Sequence, residues 1–286
     1  VIIEELKTIV ADMLKSGSVD LFIAYGENSA GDVVPVFIES ADDVQKLVWN
    51  DRCVYNLCRY LSDRHIANLK NTAVGVVVKG CDLKSLRVLL SEKQVPLTNV
   101  KAVGIVCEGV NDLDGQRLKK CESCEVRNPD PELCDAVLGD RAETTGESDE
   151  FRDVEAMENL SADEKRAVWN TYFARCIRCY ACRNICPLCY CKECVMDQRD
   201  PEWVQAAPSV AGNRAFNIVR AYHLAGRCVD CGECERACPV GIPIRTINRK
   251  MAKVVKDGFG FESGKDQEKK SPITWFQNDD PNDFIK

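Results

Sequence analysis

The runs Cys176–Pro187 and Cys228–Pro239 share one spacing, C-x2-C-x2-C-x3-C-P. Thiolates so placed suit a cubane [4Fe-4S] cluster. Three cysteines two residues apart wrap one face of the cube on a tight loop, and the fourth, ahead of proline, reaches the other cluster of a pair. The expected first set is Cys176, Cys179, Cys182 and Cys238, and the expected second set is Cys228, Cys231, Cys234 and Cys186. A zinc ribbon needs two C-x2-C pairs rather than two runs of four, and the chain has only 2 histidines for mixed sites.

Residues 188–227 separate the runs and begin with a stretch that holds three further thiols, Cys189, Cys191 and Cys194. Either they hold a further cluster, with a fourth ligand from elsewhere such as Cys53 or Cys58, or they are buried thiols with no ligand role. Upstream, Cys121 and Cys124 form another C-x2-C pair. Together with Cys81 and Cys107 they make four thiols suited to a third cluster, for which Cys134 competes as the fourth ligand. A zinc site, or scattered thiols without metal, is the alternative there.

These thiols need elements to position them. Residues 73–79 and 100–106 are apolar and β-branched, with a ten-residue helical stretch at 83–92 between them, which predicts a βαβ unit and a parallel pair. Cys81 and Cys107 follow the carboxyl ends of those strands, where α/β folds place ligands, and Cys81 opens the helix. An amphipathic helix over 2–15 and strands at 19–25 and 33–38 complete an α/β domain expected over 1–140. Residues 141–165 are acidic and aperiodic and read as a linker, ending at a capping box that begins with Ser161 and starts a helix. Residues 166–257 are expected as an α+β, ferredoxin-like module with two [4Fe-4S] clusters and a helical insertion at about 213–225. Residues 258–286 are a polar extension in which Trp275, Phe276 and Phe284 are either partner anchors or folded back on the module.

Cysteine is the compositional outlier, at 18 of 286 residues, while the net charge of −7 argues against a nucleic-acid-binding surface. The first residues carry Glu4 and Glu5 rather than a basic n-region. That favours ligation of metal in a reducing, cytoplasmic compartment over a secreted disulfide scaffold. No apolar run reaches membrane-spanning length.

Several stretches resemble a known family. Val77–Asp82, Gly104–Gly109, the Cys121/Cys124 pair and Asp135–Asp140 are similar to the β subunits of coenzyme F420-reducing hydrogenases and formate dehydrogenases. The cysteine repeats resemble the same family's iron–sulfur portion. The resemblance implies an anaerobic electron-transfer role, with Cys81, Cys107, Cys121 and Cys124 as cluster ligands. It also implies other subunits of a redox complex as partners: hydrogenase, formate dehydrogenase or heterodisulfide reductase-like. Family members pass electrons to a flavin or deazaflavin, so an FAD stays open. No G-x-G-x-x-G follows any strand, and no residue is assigned to grip a flavin.

The expected function is therefore an iron–sulfur relay with no catalytic residue of its own. The alternative is a flavin-bearing subunit that itself exchanges hydride with a deazaflavin or NAD(P). The basic residues around the cysteine loops, Arg178, Arg183, Arg236, Arg245, Arg249 and Lys250, read either as a solvated rim or as a docking face for an acidic partner.

Overall fold

The structure, a computed structural model, describes residues 1–62, 72–122, 124–143, 151–265 and 269–281. The chain divides into two compact units, Val1–Ser148 and Asp149–Lys286.

The first unit is built on a five-stranded mixed sheet of order β2-β1-β3-β4-β5. Helix α1 (Ile2–Lys15) buries Leu6 and Val10 and packs against β1 (Leu21–Glu27), which turns back into its antiparallel neighbour β2 (Val33–Ile38). Strand β3 (Val74–Val78), helix α2 (Gly80–Ser91) and strand β4 (Val100–Ile105) form the βαβ unit, with the two strands parallel and Val76 opposite Ala102. Every residue of β3 is buried, as its unbroken run of Val and Gly requires of a central parallel strand. A short helix, α3 (Lys119–Glu122), carries Cys121, and β5 (Ala136–Leu138) adds a parallel edge.

The second unit contains helices α4 (Arg152–Glu158), α5 (Ala162–Arg175), α6 (Ala181–Asn184), α7 (Val210–His223), α8 (Glu233–Arg236) and α9 (Ile244–Phe259). None of its described residues forms a strand, so the module is helical there rather than α+β. The physical reason lies in the flanks of the cysteine runs: turn backbone and Cys-Pro steps occupy them, and the amphipathic α7 and α9 supply the walls. Ser161 caps α5 as the capping box requires, its N–H donating to Glu164 Oε2 at 2.8 Å and its Oγ accepting from Glu164 N at 3.3 Å.

Two stretches differ from the sequence reading. Helix α4 occupies part of the expected linker and buries Val154. In the extension, Phe261 and Ser271 are buried while Trp275 and Phe276 are exposed; Phe284 lies outside the described residues. Among the described residues no helix is long and apolar enough to cross a membrane.

Candidate metal centres

The two cysteine runs adopt the same backbone path. Arg178 and Tyr180 flank Cys179 with φ of 54° and 59°, and Asp230 and Gly232 flank Cys231 with φ of 59° and 72°. Left-handed residues on both sides of the middle cysteine curl the chain into a tight turn, the backbone geometry of which anion-holding concavities are made. For Tyr180 this conformation costs about 1–2 kcal/mol, and packing offsets it: its ring meets Phe216 edge-on at 5.3 Å and lies under the Arg183 guanidinium at 4.4 Å. One turn of helix follows each loop, α6 and α8, and presents Cys182 and Cys234.

The thiols assort crosswise between the repeats. Cys176, Cys179, Cys182 and Cys238 line one small pocket, walled by Phe216, Ile242 and Ile244. Cys182 has the other three beside it. Cys234 in turn has Cys231, Cys186 and Cys228. Each expected foursome is thus gathered, with its fourth thiol taken from the opposite repeat.

Burial pushes the Cys182 and Cys234 thiols up, and that of Cys228 to about 12. Thiolates buried alone are costly, and ligation to a cationic iron centre is what would offset that cost. Donors already stand at two of the sulfurs: Ile242 N lies 3.4 Å from Cys238 Sγ, and Asn248 Nδ2 lies 3.4 Å from Cys234 Sγ. The arrangement therefore fits two clusters.

Arg220 on α7 is buried at the junction of the two foursomes. Its Nη2 donates to the Cys182 carbonyl at 3.0 Å, and Cys189, Cys186, Cys234 and Cys182 surround it. Burial works against the guanidinium charge, but the surrounding thiols outweigh that and hold its pKa well above the ordinary value. Sequence reading missed this residue. The available signal was a polar stripe, Asn213, Asn217 and Arg220, on the same helix face as the buried Phe216.

The insert thiols have different surroundings. Cys189 is hydrogen-bonded to Cys186, which lowers the Cys189 thiol and raises that of Cys186. Cys194 packs at the edge of the module's core beside Arg183. Cys191 is exposed.

The expected basic rim is largely neutralised within the unit. Arg183 bonds both oxygens of Asp197 at 2.8 Å, Arg236 pairs with Glu233, Arg245 with Asp230, Arg249 with Asp153 and Asp230, and Lys250 with Glu158. Arg178 is buried over the Phe216 ring at 5.1 Å.

In the first unit, Cys81 sits in the opening turn of α2, Cys107 just past β4, Cys121 on α3 and Cys124 three residues on. They are neighbours in series: Cys81 with Cys107, Cys107 with Cys121, and Cys121 with Cys124. Val110 N lies 3.5 Å from Cys121 Sγ. Burial raises the Cys81, Cys107 and Cys124 thiols.

Cys134 has different surroundings, at Gly104 between Asp130 and Asp135. Cys53 lies against Asn50, its Sγ 3.4 Å from Asn50 N, and the Cys58 thiol donates to the Asp82 carbonyl at 3.3 Å. Both belong to the first unit and have partners there.

Beside the four thiols stands a buried cation, also missed from the sequence. Lys79 Nζ donates to Tyr55 O at 2.9 Å, contacts Asp82 Oδ2 at 2.9 Å and bonds Tyr25 Oη. Among the described residues, no set of three or more Cys, His, Asp or Glu side chains is grouped to hold a single ion.

Residues 172–242 match the 4Fe-4S dicluster domain family. The chain is an iron–sulfur protein that carries multiple [4Fe-4S] clusters. Beyond that module it is similar to formate dehydrogenase β subunits. It is 23% identical to the F420-dependent formate dehydrogenase subunit beta of Methanocaldococcus jannaschii, over 82% of this chain and 84% of that protein. It is 22% identical to the F420-dependent formate dehydrogenase 1 subunit beta of Methanococcus maripaludis, over 90% of this chain and 89% of that protein. Taken with the dicluster domain, these similarities support an electron-transfer role for the iron–sulfur protein.

Proposed function

We propose that this chain relays electrons through several clusters between the catalytic subunit of a cytoplasmic redox complex and another redox centre. The catalytic subunit is a formate dehydrogenase, a hydrogenase or a heterodisulfide reductase-like protein. The observation that carries the reading is the crosswise gathering of two foursomes in one module, with the charge of Arg220 shared between them. A sensor or a structural staple needs only one such centre.

When bound, a [4Fe-4S] cluster supplies reversible one-electron chemistry. The residues do the rest. Cys176, Cys179, Cys182 and Cys238 hold the first centre, and Cys228, Cys231, Cys234 and Cys186 hold the second. Phe216, Ile242 and Ile244 exclude water from the first. Arg220, Asn248 and the Ile242 amide offset thiolate charge, which sets how readily an electron is accepted. In the first unit, Cys81, Cys107, Cys121 and Cys124 hold a third centre beside the Lys79 charge. That unit serves as the adaptor and the second as the dicluster module.

The test is iron and acid-labile sulfide per chain after anaerobic purification. About twelve irons are expected, and about eight would remove the third centre from the reading. Cys182→Ala should lower the iron count by about four, whereas Cys191→Ala should leave it unchanged. Equal loss from both variants would overturn the ligand assignment.

A further inference from the structure

Helices α4, α5, α7 and α9 of the second unit line an open-mouthed cavity of about 600 Å³. That is the volume of a small-molecule site. No cysteine lines it, so it is separate from the cluster loops.

Its apolar wall is made by Met157, Trp169, Phe173, Ile218 and Ile247. Trp169 and Phe173 stack, their ring centroids 5.7 Å apart at 22°, and so present aromatic surface of the kind on which a flat ring packs. Phe173 is 1% exposed. A cavity of this size with stacked rings in its wall fits a bicyclic or tricyclic molecule.

The rim is cationic. Lys165, Arg166, Arg214 and Lys250 line it against the single carboxylate of Glu158. Three of these cations are engaged: Lys250 with the Glu158 carboxylate, Lys165 with the Glu158 carbonyl at 2.9 Å, and Arg166 with Asp163 at 3.1 Å. Arg214 is exposed and has no hydrogen bond or ion pair among the described residues. Within the wall, Asn170 Oδ1 is buried with no hydrogen-bond partner. A buried acceptor left in this way is satisfied by a donor on an occupant.

We propose that this cavity binds a small aromatic anion. Its ring packs on Trp169, a donor on the ring meets Asn170, and its carboxylate, sulfonate or phosphate group pairs with Arg214. The site lies close to the chemistry without sharing its ligands. The Phe173 carbonyl accepts from Cys176 N at 3.2 Å and from Asn213 Nδ2 at 2.8 Å, so the cavity wall is continuous with the first cysteine loop. This inference is independent of the relay reading and stands or falls separately from the iron count.

The experiment is anaerobic equilibrium dialysis of the cluster-loaded full chain with two probes. Anilinonaphthalene sulfonate is the anion, and phenylnaphthylamine is its uncharged counterpart. The anion should bind saturably, at one per chain. Arg214→Glu, an exposed change without partners to lose, should weaken the anion about tenfold and leave the uncharged probe unaffected. Trp169→Leu should weaken both probes. Lys15→Glu on α1, the same change of charge in the other unit, should alter neither. Anion binding that is absent, or that Arg214→Glu leaves unchanged, would overturn the proposal. So would equal weakening of the two probes by Arg214→Glu.

Discussion

Arg245 grips Asp230 with two hydrogen bonds, Nε to Oδ1 at 2.6 Å and Nη2 to Oδ2 at 2.8 Å. Asp230 lies between Cys228 and Cys231 with φ of 59°, so the grip fixes the one loop residue that holds a left-handed conformation without being glycine. Arg249 adds Nη1 to Asp230 Oδ2 at 2.7 Å and, with Nε, reaches Asp153 at 2.8 Å. One carboxylate thus ties the second cysteine loop to α9, and through Arg249 to α4. Asp230→Ala leaves two largely buried guanidinium groups short of a partner. The expected loss is about 2–3 kcal/mol, allowing for the partial exposure of the carboxylate. Chemical denaturation of the loaded protein measures it, and the iron content of the variant reports whether the loop still closes.

Arg220 is expected to act on potential rather than on assembly. Replacing it with Met removes a buried positive charge near both foursomes, which makes each centre harder to reduce. The shift should be negative and on the order of 60 mV, a tenfold change in a one-electron equilibrium. Arg220→Lys should recover part of it. An anaerobic potentiometric titration followed by electron paramagnetic resonance reads both variants, and unchanged potentials would remove Arg220 from any tuning role.

Gly80 is required by close approach. A Cβ there would stand 1.9 Å from the Val126 carbonyl oxygen. The amide of the same residue bonds the Cys124 thiol. Gly80→Ala must therefore push the Cys124–Val126 segment away from Cys81. The expected result is loss of about four irons per chain, with the signals of the dicluster module retained.

Burial, reinforced by Asp130 and Asp135, pushes the Cys134 thiol up to about 12. At pH 8 roughly one molecule in ten thousand then carries the thiolate. Alkylation of Cys134 by iodoacetamide should be negligible there and rise about tenfold per pH unit towards that pKa. The exposed Cys191 should be labelled at pH 8. Peptide mass spectrometry separates the two, and rapid labelling of Cys134 at pH 8 would contradict its placement beneath Gly104.

How much of this was legible depended on how locally each feature is encoded. The cysteine spacing is local, and so are the Ser161–Glu164 box and the run of Val in β3; all three are readable directly. The partners of the arginines are not local. Arg249 meets Asp153 across 96 positions, and spacing alone leaves both residues looking solvated. Helix α4 was hidden for a related reason. It buries only Val154 and is anchored by polar groups, Asp153 to Arg249 and to Thr246, so it carries no apolar period. Arg220 sits in the insert, 38 positions from the Cys182 carbonyl it bonds, and only its helical spacing from Phe216 and Asn217 marks the face it shares with them.

The crosswise assortment of the thiols has a consequence for how the module fails. Neither repeat holds a complete foursome, since Cys238 completes the first and Cys186 the second. The stretch between the repeats is free to lengthen at little entropic cost, because loop closure grows only slowly with length. A nick at its exposed tip, near Trp203, would leave both sets whole. Drawing the two halves apart would break both at once. The pair of centres is therefore inherited, expressed and lost as a single object, and half of it is not a smaller version of the whole.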